Sequence, residues 1–188
     1  MRIKIFVFLF LLLSLYSCWN SEEEIITLWN DTLIKFENTF FEIMIPTNWN
    51  ILKDNENILP KPKNWEISLA TTSDELKYGF SNNLLILSQN LNKVINSLDF
   101  SVLNNVWASR DYLEYIKLES KNIVFSDNDK SMLYIFEAKY NQTTPKLKFL
   151  QIWKVCSINK AHLLTIAISN EIKDTSKYEE LLKTFKCK

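Results

Sequence analysis

The chain has 188 residues, and its 22 basic side chains balance its 22 acidic ones. That length suffices for one domain with a substantial core, and the lack of excess positive charge argues against a nucleic-acid-binding surface. Average glycine usage would give about a dozen glycines. This chain has one glycine and six tryptophans.

The first residues have the pattern of a secretory signal. Arg2 and Lys4 form a basic start, and an unbroken apolar run follows over 5–13. The run is too short to cross a bilayer as a stable helix, which needs about 20 residues. The pattern predicts export.

Leu15-Tyr16-Ser17-Cys18 resembles the bacterial lipobox, in which a leucine lies three residues before the cysteine and a small residue lies just before it. Tyr16 departs from that pattern, where a small or aliphatic residue is usual. The resemblance implies cleavage before Cys18 and a diacylglyceryl group on its sulfur, which would anchor the protein to a membrane. The alternative is an ordinary signal peptide with an incidental cysteine.

We therefore divide the chain into a signal peptide (1–17), a lipidated N-terminus and tether (18–32) and one folded domain (33–188). Without the leader, 20 basic residues face 22 acidic ones, which gives a net charge of −2. Cys156 and Cys187 remain as an even pair, and outside the cytoplasm we expect them to form a disulfide. The alternative is two free thiols.

Several tryptophans occupy positions where glycine would fit, such as Trp19, Trp65 and Trp107. One hypothesis is that some are UGA codons that the organism reads as glycine. The alternative is a glycine-poor protein that places asparagine at turns with positive φ.

The first half of the domain predicts strands and loops. Apolar runs over 34–37 and 40–45 are joined by a turn at Asn38-Thr39, and Pro46 ends the second run. The elements expected next are a loop over 54–64, a strand over 65–70, a polar connection over 71–83 and a short buried strand over 84–88.

A helix is expected over 99–115. Leu103, Val106, Arg110 and Leu113 share one face, which we expect to be the buried one with Arg110 as its polar exception. A strand is then expected over 118–125.

The clearest sheet core is predicted over 132–140, 147–155 and 161–169. These strands are apolar on both faces, so each face needs a cover. Their short connections predict antiparallel neighbours. The last element is a helix in which Ser176 and Glu179 form a capping box, followed by apolar residues at helical spacing: Tyr178, Leu181, Leu182 and Phe185.

The order of these elements, with Ile45-Pro46-Thr47-Asn48-Trp49 after an aromatic strand, resembles the PsbP-like domain, which also occurs in bacterial lipoproteins. The resemblance covers about 33–186. It implies an antiparallel sheet with helices on both faces. The expected fold class is therefore α+β, with a sheet of about six to eight strands in an α/β/α sandwich.

No residue pattern predicts a catalytic centre. His162, the one histidine, lies inside a predicted strand and is interpreted as a packing or rim residue. Asp127-x-Asp129-x-Ser131 resembles the start of a calcium loop but lacks its central glycine and closing glutamate, which favours a hairpin turn. We therefore expect no metal, no cofactor and no enzymatic activity.

These observations predict an extracytoplasmic lipoprotein, anchored through Cys18 to the cell membrane, or to the outer membrane of a cell with two. Its domain would bind an unknown envelope protein, and no nucleic acid. The alternative is a lipoprotein that binds a small or apolar ligand in a pocket between sheet and helix, near Trp49 and the 54–64 loop. A hydrolase is the third and least favoured hypothesis.

Overall fold

The computed structural model describes residues 26–28, 31–53, 64–156 and 159–188. The predicted leader and Cys18 lie outside them. In this part of the chain 57% of the residues are in strands and 15% are in helices, so the fold is mostly β.

The described residues form strands β1 to β11 and helices α1 and α2, in an order that places one helix in the middle and one near the end. Their bounds are β1 Ile26–Leu28, β2 Asp31–Glu37, β3 Phe41–Pro46, β4 Trp49–Ile51, β5 Glu66–Lys77, β6 Phe80–Asn90, α1 Ser97–Asp111, β7 Leu113–Val124, β8 Lys130–Lys139, β9 Leu147–Cys156, β10 Lys160–Ser169, α2 Ser176–Lys183 and β11 Lys186–Cys187.

The strands form two antiparallel sheets. The large sheet has seven strands in the order β4-β5-β6-β10-β9-β8-β7, and the small sheet has the order β1-β2-β3-β11. Strands β8, β9 and β10 are neighbours, as their short connections predict. Strand β1 lies within the segment expected to be a tether, where it pairs with β2.

Both faces of the large sheet are buried over its centre, as the doubly apolar strands predict. One face packs against the small sheet and α2, with Phe41, Leu164 and Leu182 at 0% exposure. The other face carries α1, which packs on β8 and β9. Phe136 and Phe149 stack there, with ring centroids 5.1 Å apart.

The expected fold class, an α/β/α sandwich with helices on both faces, is wrong. What covers the first face is chiefly a second sheet, and the described part holds two short helices. The runs over 34–37 and 40–45 are strands as predicted, but they bury Ile43 and Ile45 by stacking on the large sheet as part of a separate one. Strand propensity alone does not distinguish joining a sheet from covering it.

The polar connection expected over 71–83 is also wrong. Strand β5 continues to Lys77, a two-residue turn follows at Tyr78 and Gly79, and β6 returns from Phe80. Both turn residues have positive φ, 53° and 75°, as a tight type I′ hairpin turn requires. Backbone pairing across this turn holds a polar segment in strands.

Helix α1 is shorter than expected, and the face that packs on the sheet is not the predicted one. It begins after Asn96, whose side chain accepts a hydrogen bond from the Asp99 amide, and it ends at Asp111. Phe100 is buried, whereas Leu103 is 60% exposed and Val106 54% exposed. Arg110 and Leu113, which complete the predicted buried face, are exposed as well. The helix has apolar residues on both sides, so its periodicity did not identify the side that packs.

Helix α2 confirms the C-terminal prediction in all but its cap. Tyr178, Leu181, Leu182 and Phe185 are all buried in the core. The residue before the helix is Thr175 rather than Ser176, and its hydroxyl donates to Glu179 at 2.8 Å. Glu179 also accepts from Lys121 at 2.9 Å, so its carboxylate links α2 to β7.

Candidate functional site

A small cavity lies between the two sheets and α2, next to Trp49. Its volume is about 50 Å³, and its lining is mixed but rich in polar groups. The lining residues are Leu33, Pro46, Asn48, Trp49, Ser73, Glu75, Asn82, Lys177, Tyr178 and Leu181. Trp49 is one of the two features near which the sequence suggested a ligand pocket; the other, the 54–64 loop, lies almost wholly outside the described residues.

Asn82 gives this cavity its one unsatisfied buried group among the lining side chains described. Its amide nitrogen donates to the Tyr178 hydroxyl at 2.8 Å, while its Oδ1 is buried without a hydrogen-bond partner in the protein. A water or a small donor group would satisfy this oxygen. Pockets for drug-sized ligands occupy roughly 300–1,000 Å³. This cavity is far smaller and polar, so it does not favour an apolar ligand.

His162 lies in β10 and is completely buried. Its Nδ1 is 2.7 Å from the Ser88 hydroxyl, which is 2.6 Å from the Ser68 hydroxyl. The rings of Phe41 and Phe185 lie 5.2 Å from its own ring. Burial, followed by the nearby Lys160 ammonium, lowers the pKa of His162 to about 4, which keeps the ring neutral near pH 7.

Ser88 and His162 have the contact of a nucleophile and its base, but both side chains have 0% exposure. A catalytic serine must reach a substrate from a cleft. The phenylalanine rings close this position, so the pair is a packing feature in the state described. This agrees with the interpretation of His162 as a packing residue.

A second polar cluster is centred on Lys154 of β9. In the pairing of β9 with β10, Lys154 lies directly opposite His162. Its side chain is 2% exposed, and its ammonium lies 2.8 Å from Asp127 Oδ2 and 2.9 Å from Asp129 Oδ2. The Phe125 ring centroid is 4.6 Å away. The two carboxylates that resemble the start of a calcium loop are therefore occupied by a lysine of the same chain.

Ser97, at the start of α1, completes this cluster. Its hydroxyl donates to Asp129 Oδ2 at 2.5 Å and accepts from the Val155 amide at 2.8 Å. Burial alone would raise the pKa of Asp129, but the Ser97 hydroxyl and the Lys154 ammonium together lower it. The cluster ties the β7–β8 turn, β9 and α1 together.

Cys156 and Cys187 form a disulfide with an S–S distance of 2.01 Å, which confirms the predicted pairing. Cys156 ends β9 of the large sheet, and Cys187 lies in β11 opposite Phe41 of the small sheet. The bridge therefore joins the two sheets covalently.

The tryptophans of the described residues do not occupy glycine-like backbone. Among the described residues other than glycine, positive φ occurs at three asparagines and at two further positions, and at no tryptophan: Asn64, Asn128, Asn159, Tyr78 and Glu114. This favours the alternative in which asparagine serves the turns of a glycine-poor protein. The codons for these residues would decide the matter directly.

Sequence reasoning missed Asn82, Ser88 and Lys154, whose roles depend on strands distant in sequence. The one local signal was Lys154 itself, which interrupts the apolar stretch Ile152-Trp153-Lys154-Val155. A lysine inside a doubly buried strand needs a partner. The adjacent turn holds two aspartates, which are suitable partners for this lysine.

No protein-family model matches the chain, and no curated protein matches it. Nothing in these comparisons supports the resemblance to the PsbP-like domain. Within the described ranges, no helix is long and apolar enough to cross a membrane. The same ranges contain no group of three or more histidine, cysteine or acidic residues that could hold a metal ion.

Proposed function

We propose that this protein is an exported lipoprotein, anchored through Cys18, whose domain has no enzymatic role and binds another protein of the cell envelope. The observation that carries the proposal is an apolar helix face left exposed on a disulfide-bridged domain. The lipobox-like stretch supplies the anchor in this account.

The Cys156–Cys187 disulfide supports the compartment. Structural disulfides form and persist outside the cytoplasm, and they are rare where thiols are kept reduced. Cys156 is 3% exposed, which fits a structural bridge better than a redox-active one.

The outer face of α1 supports protein binding. Val102, Leu103 and Val106 lie on one side of the helix, and each is more than half exposed. A solvent-facing helix usually carries charged residues at such positions. The next strand, β7, is an edge of the large sheet and exposes Leu113, Ile116 and Leu118. Exposed apolar patches of this kind mark protein-interaction sites.

The burial of Ser88 and His162 supports a non-enzymatic role, because neither group can meet a substrate without opening the core. The cavity beside Trp49 supports the choice of a protein partner over an apolar ligand, since its small polar volume offers little apolar contact.

The anchor is tested by growing cells with labelled palmitate. Wild-type protein should carry the label, and Cys18→Ser should not. Equal label on the two proteins would refute lipidation at Cys18.

The binding surface is tested by crosslinking in cells followed by pull-down of the tethered protein. Wild type should recover a reproducible envelope partner, and Val102→Lys/Val106→Lys should recover at least tenfold less, since charges would replace the apolar face. Val94→Lys is the matched control, because Val94 is an exposed valine outside α1. Failure to recover any reproducible partner, or an equal loss in the control, would count against the proposal.

A further inference from the structure

The tip of the β5–β6 hairpin combines exposure with backbone strain. Leu76 is 70% exposed and Tyr78 is 65% exposed. Tyr78 has a φ of 53°, a left-handed conformation that is unfavourable for a bulky side chain and that asparagine or glycine adopts more easily. The tip thus presents two large apolar side chains to solvent, one of them on strained backbone.

The chain uses asparagine at other positions with positive φ, including Asn64, Asn128 and Asn159. Among the described residues, Tyr78 and Glu114 are the two positions with positive φ that carry neither asparagine nor glycine, and Tyr78 is the aromatic one. Packing does not explain the choice, because the ring is exposed and its described contact is the Lys77 ammonium, 5.9 Å from the ring centroid. Strain of this kind is retained where an exposed group has a function.

Strand β1, the first described element after Cys18, is linked by its pairing to the cavity near the base of this tip. Ile26 pairs with Leu33, and Leu33 lines the same cavity as Glu75, three residues before Tyr78. The eight residues from Cys18 to Ile26 span at most about 28 Å. A lipid on Cys18 would therefore keep the start of β1 within about 28 Å of the bilayer surface.

The residue types of the tip fit a bilayer interface. Tyrosine is enriched at the level of lipid headgroups, and lysine can keep its ammonium there while its stem lies along apolar surface. Asp74 and Glu75 at the base of the tip offset the charges of Lys77 and Lys177. Contact would therefore depend on apolar and aromatic side chains more than on anionic lipid.

We propose that the tip of the β5–β6 hairpin, residues 76–79, inserts into the phospholipid interface as a second membrane contact beside the Cys18 lipid. This inference rests on the proposed function for its anchor. The second contact would fix the orientation of the domain, so that the outer face of α1 is presented in one direction.

The test uses the full chain as matured in its native membrane, reconstituted into phosphatidylcholine vesicles. A nitroxide is attached at Lys77→Cys, and its collisions with oxygen and with a water-soluble nickel complex are compared. Ser120→Cys on β7 carries the control label, since Ser120 is exposed. We expect a several-fold preference for oxygen at position 77 alone, unchanged when phosphatidylglycerol is added. A label at 77 as accessible to nickel as the control would overturn the inference and favour a protein partner for the tip.

Tyr78→Asn separates membrane contact from folding. Asparagine suits the first position of the turn, so Tm should rise by about 1–3 °C while the oxygen preference at position 77 falls toward the control value. A lower Tm would show that Tyr78 serves the fold and would overturn the strain argument. An unchanged oxygen preference would exclude Tyr78 as the inserting group.

Palmitate labelling of the same sample distinguishes the two proposals. If palmitate is present but the label at 77 is exposed to water, the anchor is supported and the tip contact is refuted. An oxygen preference without palmitate keeps the tip contact and removes the anchor. If neither palmitate nor an oxygen preference is found, both proposals are refuted.

Discussion

Lys154 holds its ammonium group inside the protein against two carboxylates, Asp127 and Asp129. Its stability contribution depends on both partners, because an ammonium left in the core without them would lack compensation for lost hydration. The carboxylates are about one-third exposed, which weakens the pairing relative to a fully buried one.

We expect Lys154→Met to lower the free energy of unfolding by about 2–4 kcal/mol, since two adjacent carboxylates would lose their cation. Lys130→Met, at an exposed position beside the same turn, should change it by less than about 0.5 kcal/mol. Denaturant unfolding under oxidising conditions measures both. Equal stability of the two variants would show that the cluster is dispensable.

His162 makes stability depend on pH. Its pKa is lowered to about 4 by burial and then by Lys160, whereas in the unfolded chain it lies near about 6.5. Between these values the unfolded chain binds a proton that the folded chain does not. Unfolding free energy should therefore fall as pH drops through this window, by up to about 1.4 kcal/mol per pH unit.

His162→Gln removes the titrating ring and should remove this part of the pH dependence. Unfolding free energies of both proteins at several values between pH 7 and pH 4 measure it, and the carboxylates cancel in the difference. Parallel profiles for wild type and variant would contradict the pKa assigned to His162.

At the scale of elements, α1 shows where sequence periodicity failed. Phe100 packs inward while Leu103 faces outward. We expect Phe100→Ala to cost about 3–5 kcal/mol and Leu103→Ala less than about 0.5 kcal/mol. Thermal or denaturant unfolding of the two variants distinguishes them. A larger loss for Leu103→Ala would support the orientation that the sequence pattern predicted.

The disulfide acts on β11, the shortest element. It closes a sequence separation of 31 residues, so the chain-entropy account assigns it about 3–4 kcal/mol. Cys156→Ser/Cys187→Ser should lose that much stability and lose amide protection at Lys186 and Cys187. Reduced wild type should behave in the same way. Full amide protection of β11 without the bridge would show that backbone pairing alone holds it.

The strands over 132–140, 147–155 and 161–169 were predictable because their alternation is local. Leu133 and Ile135 face one side and Tyr134 and Phe136 the other, as the pattern required. The hairpin of β5 and β6 was not predictable in this way, because its outer half lacks apolar alternation. Its local signal is Gly79, which lies inside the polar connection predicted over 71–83.

At the scale of the whole molecule, two sheets enclose one core, and the order of elements did not reveal this. Strand β11 pairs with β3 across most of the chain, and β10 lies between β6 and β9. Such pairings depend on contacts between residues far apart in sequence. The cavity beside Trp49 owes its polar character to Asn82 and Lys177, which β6 and α2 bring together from distant parts of the sequence.

The two proposals are compatible within one molecule. A lipid on Cys18 would hold the domain at the membrane, the tip around Tyr78 would orient it, and the outer face of α1 would remain available to a partner. The disulfide between the sheets suits a domain that must keep its shape outside the cytoplasm.

The central claim is that the chain is exported, cleaved and lipidated, and the most direct measurement is the intact mass of the protein purified from its native membrane. The account predicts a chain that begins at Cys18, carries acyl groups and is two hydrogens lighter than its reduced form because of the one disulfide. The same spectrum would show a large deficit for every tryptophan that is in fact glycine. A mass equal to that of the unmodified full chain would contradict the lipoprotein account.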